Sequence, residues 1–266
     1  MSIVDIHPGR SPIILGLPHT GTDVPPEIWE RLNDNGQLLA DTDWHIHELY
    51  AGLLSDATTV RATFHRYVID ANRDPSGTSL YPGQNTTGLV PETDFDGGAI
   101  WKEGEAPTEE DIAYRLQHFH APYHAALAAE IDRVKAIHGV AILYDCHSIR
   151  SHIPFLFEGK LPDFNIGTDM GKTCDPAVEA IAVDVTSAAE GYTFILNGRF
   201  KGGWTTRHYG QPDKGVHAIQ MELAQCTHLK TETPPFAYDD DKAATLRTHL
   251  KTILTRMEDF ALALRP

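Results

Sequence analysis

Apolar positions along the chain fall into short runs closed by turn residues, alternating with longer stretches of helical period. Residues 12–18 are an apolar run bounded by Pro12 and Pro18, which predicts a buried strand ending just before His19. In 41–56, Ile46, Leu49, Tyr50, Leu53 and Leu54 recur at helical spacing, and Asp41 or Thr42 could cap such a helix. The β-branched and aromatic runs 58–63 and 67–70 predict strands. Residues 108–137 read as a long helix opened by a capping-box-like Thr108 to Asp111, with Pro122 bending or dividing it. The clearest buried strand is 140–144, running into Asp145, Cys146, His147 and Ser148. Further on, 176–189 reads as a helix, 193–196 and 216–223 as strands, and 239–264 as a long amphipathic helix.

Between these elements lie polar stretches at 74–107, 150–174 and 197–210. The first is rich in Gly, Pro, Asn and Thr, and a loop of that length in a compact domain usually serves function. Strands alternating with helices predict an α/β sandwich with a largely parallel sheet. No composition shift or linker divides the chain, so 1–266 is expected to be one domain.

Composition narrows the classes. With 22 basic against 37 acidic residues the net charge is −15, and no basic stripe exists to hold nucleic acid or an anionic membrane. No apolar run nears the ~18 residues of a membrane span, and residues 1–10 lack the apolar core of a signal peptide. Three cysteines, at 146, 174 and 226, fit a reducing cytoplasm better than a disulfide framework.

Three predicted strands end in candidate chemistry: His19, His147 and Glu222. Ligands gather beyond the carboxyl ends of strands in open α/β sheets. Two imidazoles and one acid suffice for a catalytic zinc site that keeps a position open for water. The acid could be Asp41, Asp43, Asp145 or Glu222, with helix capping the plain alternative for Asp41 and Asp43. Arg66, Arg73, Arg150, Arg199 and Arg207 sit in or beside the polar loops, where guanidinium forks could grip carboxylates or simply pair with neighbouring Asp. Cys146 and His147 are adjacent on an extended segment and point to opposite faces, so a thiol–imidazole pair is not expected. His45 and His47 read as exposed, as do His118, His120 and His124, although His120 and His124 could share a metal.

A set of motifs then recurs in a fixed order. These are Pro18-His19-Thr20-Gly21, Asp41-Thr42-Asp43, Asp70-Ala71-Asn72-Arg73-Asp74-Pro75 and Asp145-Cys146-His147-Ser148. They continue with Asn197-Gly198-Arg199-Phe200-Lys201-Gly202-Gly203, Thr206-Arg207-His208-Tyr209-Gly210 and Gln220-Met221-Glu222-Leu223. The set resembles the N-formylglutamate amidohydrolase family of bacterial histidine degradation, over roughly residues 12 to 230. The resemblance implies a phosphorylase/hydrolase-like three-layer α/β/α sandwich related to zinc carboxypeptidases. It also implies metal-dependent cleavage of N-formyl-L-glutamate to formate and L-glutamate. Carried over, it suggests His19, Asp43 and His147 as ligands to Zn2+ or another divalent ion, and Glu222 as general base. The carboxypeptidase His-x-x-Glu pair would need Glu where Thr22 stands, so the acid ligand must come from elsewhere and Asp43 is chosen. Asn72, Arg73, Arg150, Arg199 and Arg207 are the candidate grips for the substrate carboxylates. A cytoplasmic monomer or small homo-oligomer acting on a small N-acyl amino acid is expected. The alternatives are a related deacylase or carboxypeptidase-like amidase with another N-acyl substrate, and a silent anion-binding protein on the same fold.

Overall fold

A seven-stranded mixed sheet carries the chain in this computed structural model, with strand order β1-β3-β2-β4-β7-β5-β6. The structure describes residues 2–80 and 82–264; Met1, Tyr81, Arg265 and Pro266 of the expected 1–266 unit lie outside them. The strands are β1 (Val4–His7), β2 (Ile13–Leu17), β3 (Thr58–Ala62), β4 (Ala141–Ile149), β5 (Phe164–Gly167), β6 (Phe194–Leu196) and β7 (Val216–Ala224). The helices are α1 (Pro26–Trp29), α2 (Ile46–Tyr50), α3 (Glu109–Arg115), α4 (Ala121–His138), α5 (Pro176–Ser187), α6 (Trp204–Tyr209) and α7 (Asp240–Ala263). The β2–β3, β2–β4, β4–β7 and β5–β6 pairs are parallel; β1–β3 and β5–β7 are antiparallel. The expected largely parallel α/β sandwich is therefore correct.

The two-residue period of a strand sorts the core into two layers. Tyr144 and Cys146 of β4, with Ile219, Met221 and Leu223 of β7, join a cluster roofed by α2, α5 and α7. Leu143 of β4 and Ala218 of β7 join the opposite cluster, roofed by α4 through Tyr123, Leu127, Ile131 and Val134. Helices thus cover both faces, the expected three layers. Leu246, Leu250, Ile253 and Leu254 form the buried stripe of α7, and truncating one such Leu to Ala would cost about 2–5 kcal/mol. Asp239 caps α7 by accepting from the Lys242 N–H at 3.2 Å, and Asp175 caps α5.

Several expectations need correction. The helix expected over 41–56 is only Ile46–Tyr50, and neither Asp41 nor Thr42 caps it; its N-cap is His45, with φ +59°. The Asp41 and Asp43 carboxylates are engaged elsewhere, as described below. Residues 67–70 are buried but form turns, not a strand: the Val68 N–H donates to the His65 carbonyl, and that of Asp70 to Leu89. Apolar side chains there serve burial without sheet pairing. The irregular stretch 150–174 contains β5, and 197–210 contains α6; both elements are too short to show a period. β1, a half-exposed edge strand, had no apolar run to mark it. The helix expected over 108–137 carries the Thr108 capping box and divides at a π turn, Leu116–His120, just before Pro122. The Pro ring nitrogen has no N–H to continue the ladder.

Candidate active site

The β4–β7 register sets one wall of the site. Asp145 pairs with Gln220, and His147 with Glu222. These positions continue the face that holds Leu143 and Ala218, and along it the carboxyl halves of both strands turn from apolar to polar. Cys146 points to the other face, as expected, and burial pushes its thiol well up. His19 lies two residues past the end of β2, after Pro18. The segment carrying Asp43 is tied to it by the Asp43 N–H, which donates to the His19 carbonyl at 3.0 Å.

These three side chains converge. His19, Asp43 and His147 are buried, and one ligand atom from each lies within 4.8 Å of the others, so the group could hold a metal ion. Asp43 Oδ2 is 3.2 Å from His147 Nδ1 and 3.8 Å from His19 Nδ1, and accepts the Ser148 N–H at 3.1 Å. Both imidazoles turn Nδ1 toward Asp43 and Nε2 toward a second buried carboxylate. His19 Nε2 meets Asp70 Oδ1 at 2.7 Å. His147 Nε2 lies 3.0 Å from Asp145 Oδ1, an ionic contact whose angle falls short of a hydrogen bond. Ring nitrogens backed by carboxylates in this way are what metal-ligating histidines usually show.

Electrostatics favour a cation at this point. Burial, with Arg66 alongside, lowers the His19 imidazole to about 4, so it is neutral near pH 7. Burial alone pushes the Asp43 carboxyl up, but the hydrogen bond from His147 and the nearby charges of His19 and Arg66 bring it below its ordinary value. Burial would also lower His147, yet the negative charge of Asp145, Asp43 and Glu222 carries it well above the usual imidazole range. Surroundings that draw a proton onto His147 draw any cation to the same place. The Arg66 guanidinium already lies against His19 Nδ1. Two imidazoles and a carboxylate, ringed by excess buried carboxylate, suit a borderline-soft divalent ion.

A cavity opens beside the cluster, lined by His19, Arg66, Asn72, Arg73, His147, Arg199 and Glu222, with Phe95, Leu156 and Phe200 as apolar wall. Glu222 Oε2 accepts from the Gln220 amide at 3.0 Å. Burial raises the Glu222 carboxyl to about 8, against the pull of His147. The Asn72 amide nitrogen is 3.2 Å from His147 Nε2, and its oxygen accepts the Thr205 N–H at 2.9 Å. A side chain at Gly203 would collide with the Asn72 amide, which explains that glycine.

The arginines divide. Arg73 and Arg199 reach the cavity. Arg73 donates to the Thr87 carbonyl at 3.0 Å, and Arg199 to the carbonyls of Asn85 and Leu156 at 2.8 and 3.2 Å. Arg150 pairs with Asp96 at 2.7 Å and Arg207 with Asp169 at 3.4 Å, and neither lines the cavity. Sequence reasoning offers Arg66 only as one of five arginines and Asp145 only as a candidate metal ligand, and it gives no role to Phe95 or to Asp70 behind His19. Only their place in polar strand-end motifs could have pointed to Asp70 and Asp145. Of the other acids considered, Asp41 accepts from Tyr67 Oη and the Phe95 N–H and takes no part in the cluster. His120 and His124, expected on an exposed face, are buried.

Comparison with known proteins points one way. The family model for N-formylglutamate amidohydrolase matches residues 11–229. An N-formylglutamate deformylase of Pseudomonas aeruginosa is 49% identical over 248 residues, covering 92% of either chain. One from Pseudomonas putida is 46% identical over 253 residues, covering 95% of this chain and 94% of that one. Among solved structures, an N-formylglutamate amidohydrolase from Ralstonia eutropha superposes with a TM-score of 0.81 at 22% identity, over 98% of both chains. A gene product of Agrobacterium tumefaciens gives 0.74 at 16%, over 98% of this chain and 96% of that one. These two likenesses bear on the fold.

Proposed function

We propose that this chain, which belongs to the N-formylglutamate amidohydrolase family, hydrolyses N-formyl-L-glutamate to formate and L-glutamate at a zinc site formed by His19, Asp43 and His147. The observation that carries this reading is the meeting of two imidazoles and a carboxylate beside Glu222, in a cavity that Arg73 and Arg199 also line. A divalent ion held there would acidify a water and polarise the formyl oxygen.

The chain's own groups supply the rest. Glu222 is the general base: it takes the proton of the attacking water and returns it to the leaving amine as the C–N bond breaks. Its carboxyl lines the cavity beside the cluster, where it can reach both the attacking water and the leaving amine. Arg66, stacked over the Phe95 ring at 5.0 Å, supports the oxyanion that develops on the formyl oxygen. Asn72 and Arg73 take one substrate carboxylate and Arg199 the other, since a buried carboxylate without a cationic partner would be costly. Asp70 and Asp145 hold the imidazoles in orientation.

We further assign residues 1–266 to one catalytic domain, a reading supported by the single sheet that runs through the described residues. Within the pathway the resemblance implies, the reaction is the last step of histidine degradation in the bacterial cytoplasm. Among the described residues no helix is long and apolar enough to cross a membrane.

The test is formate release from a substrate panel. N-formylglutamate is expected to turn over fastest, ahead of N-formylaspartate, N-acetylglutamate and formyl derivatives of neutral amino acids. Equal rates on neutral formyl amino acids would remove the two-carboxylate reading, and preference for the acetyl compound would make the protein a deacylase of another N-acyl amino acid.

A further inference from the structure

The segment 70–73 faces the cavity from one side and a buried histidine pair from the other. Toward the site, Asp70 meets His19, the Asn72 amide meets His147, and Arg73 lines the cavity. On the far side, His124 Nε2 is 2.8 Å from the Ala71 carbonyl and His120 Nε2 is 3.0 Å from that of Arg73. A carbonyl only accepts, so both imidazoles donate from Nε2. The two residues are four apart and share a helix face. His120 ends the π turn and His124 lies in α4, with ring centroids 4.4 Å apart.

Both rings are locked in place. His124 Nδ1 takes the Tyr209 hydroxyl at 3.0 Å, and Trp204 packs 4.6 Å from the His124 ring and 5.6 Å from that of His120. His120 is 3% and His124 8% exposed, and neither belongs to the metal-competent group. Burial lowers both imidazoles, His124 to about 3, so they remain neutral donors near pH 7. Exposed polar residues, the reading that sequence favoured, would not be built this way.

We propose that His120 and His124 are positioning residues for the substrate grip: by holding the carbonyls that flank Asn72, they aim Asn72 and Arg73 into the cavity. This rests on the proposed function, in which Asn72 and Arg73 hold a substrate carboxylate. Loss of either donor leaves metal binding and Glu222 in place and lets the grip drift, and small misplacements of a binding group are costly.

The experiment compares Leu and Gln at both positions in zinc-loaded protein, by calorimetric titration with glutarate and by kinetics on N-formylglutamate. The amide nitrogen of Gln reaches where Nε2 stands; Leu has no donor. We expect His120→Leu and His124→Leu to weaken glutarate and raise KM by about 10-fold or more, with kcat within about threefold and zinc content unchanged. The Gln variants should return within about threefold of wild type, and His120→Leu should add little on top of Arg73→Lys. Should the Leu variants fail to fold, His120→Asn and His124→Asn, whose amides stop short of the carbonyls, replace them. Unchanged glutarate affinity and KM, with only thermal stability lost, would overturn the inference, as would equal losses in Gln and Leu variants. Wild-type protein that binds neither glutarate nor N-formylglutamate would overturn the proposed function and this inference together.

Discussion

His19, Asp43 and His147 are 1–2% exposed and meet beside the ends of neighbouring strands, whereas Arg73 and Arg199 reach the same cavity from loops. Arg73 keeps a fifth of its side chain in solvent. On the first side every imidazole is backed by a carboxylate; on the second both guanidiniums bond to backbone carbonyls of the 85–87 loop, and Arg73 also lies 3.6 Å from Asp70. In the proposed function the reacting groups sit on strands or on turns tied to them, and the ligand contacts sit on loops. Chemistry that tolerates little displacement is then carried by the more rigid backbone, and recognition by side chains that can trade a carbonyl for a carboxylate.

Substitutions on the strand side should therefore have the larger effects. Glu222→Gln keeps the shape and removes the proposed base, so kcat is expected to fall by about 10²–10⁴ while zinc content and KM hold; steady-state kinetics with elemental analysis checks this. Asp70→Asn, in a turn that backs the strand-end cluster, takes the carboxylate from His19 Nε2, and chelator competition should show zinc affinity reduced by about 10–100-fold. On the loop side, Arg73→Lys replaces a fork with a point charge and should raise KM by about 10-fold with a smaller change in kcat. A kcat loss from Arg73→Lys as large as that of Glu222→Gln would erase the distinction between the two sides.

The smallest expected effect is on stability. Burial lowers the imidazoles of His228 to about 4, of His124 to about 3 and of His65 well below its usual range. Unfolded, each takes a proton near pH 6.5, so between that pH and the folded values the unfolded chain binds more protons. Their stabilisation is full above pH 6.5 and is lost as pH falls. Asp41 and Glu222, raised by burial to about 7 and about 8, act the other way and lose stability as pH rises. Depressed imidazoles outnumber raised carboxyls, so thermal melts should give a Tm lower at about pH 5 than at about pH 7.

The same contrast governs what could be read from sequence. The strand side was legible because β2, β4 and β7 are apolar runs and their ends carry His19, His147 and Glu222. Asp43 was singled out through family resemblance, not spacing; its segment looked like a helix start. In the structure the chain instead turns at His45, with positive φ, and α2 begins only at Ile46. Asp70 is illegible as a partner because tertiary folding brings it to a ring 51 residues away, whereas Asp145, two residues from His147 on the same strand face, stands in the sequence only as a candidate metal ligand. On the loop side, five arginines in similar polar settings could not be ranked. Ion pairs drew Arg150 and Arg207 aside, and no local pattern encodes those pairings. His120 and His124 looked like a polar helix face because the loop they support lies some 50 residues earlier.

Stripping the protein with a chelator and titrating zinc back, with bound metal and formate release followed together, tests the central claim most directly. One zinc per chain is expected, with formate release from N-formylglutamate rising in step with occupancy and both lost in Asp43→Ala and His147→Ala. Full formate release from metal-free protein, or zinc binding indifferent to those two substitutions, would contradict it.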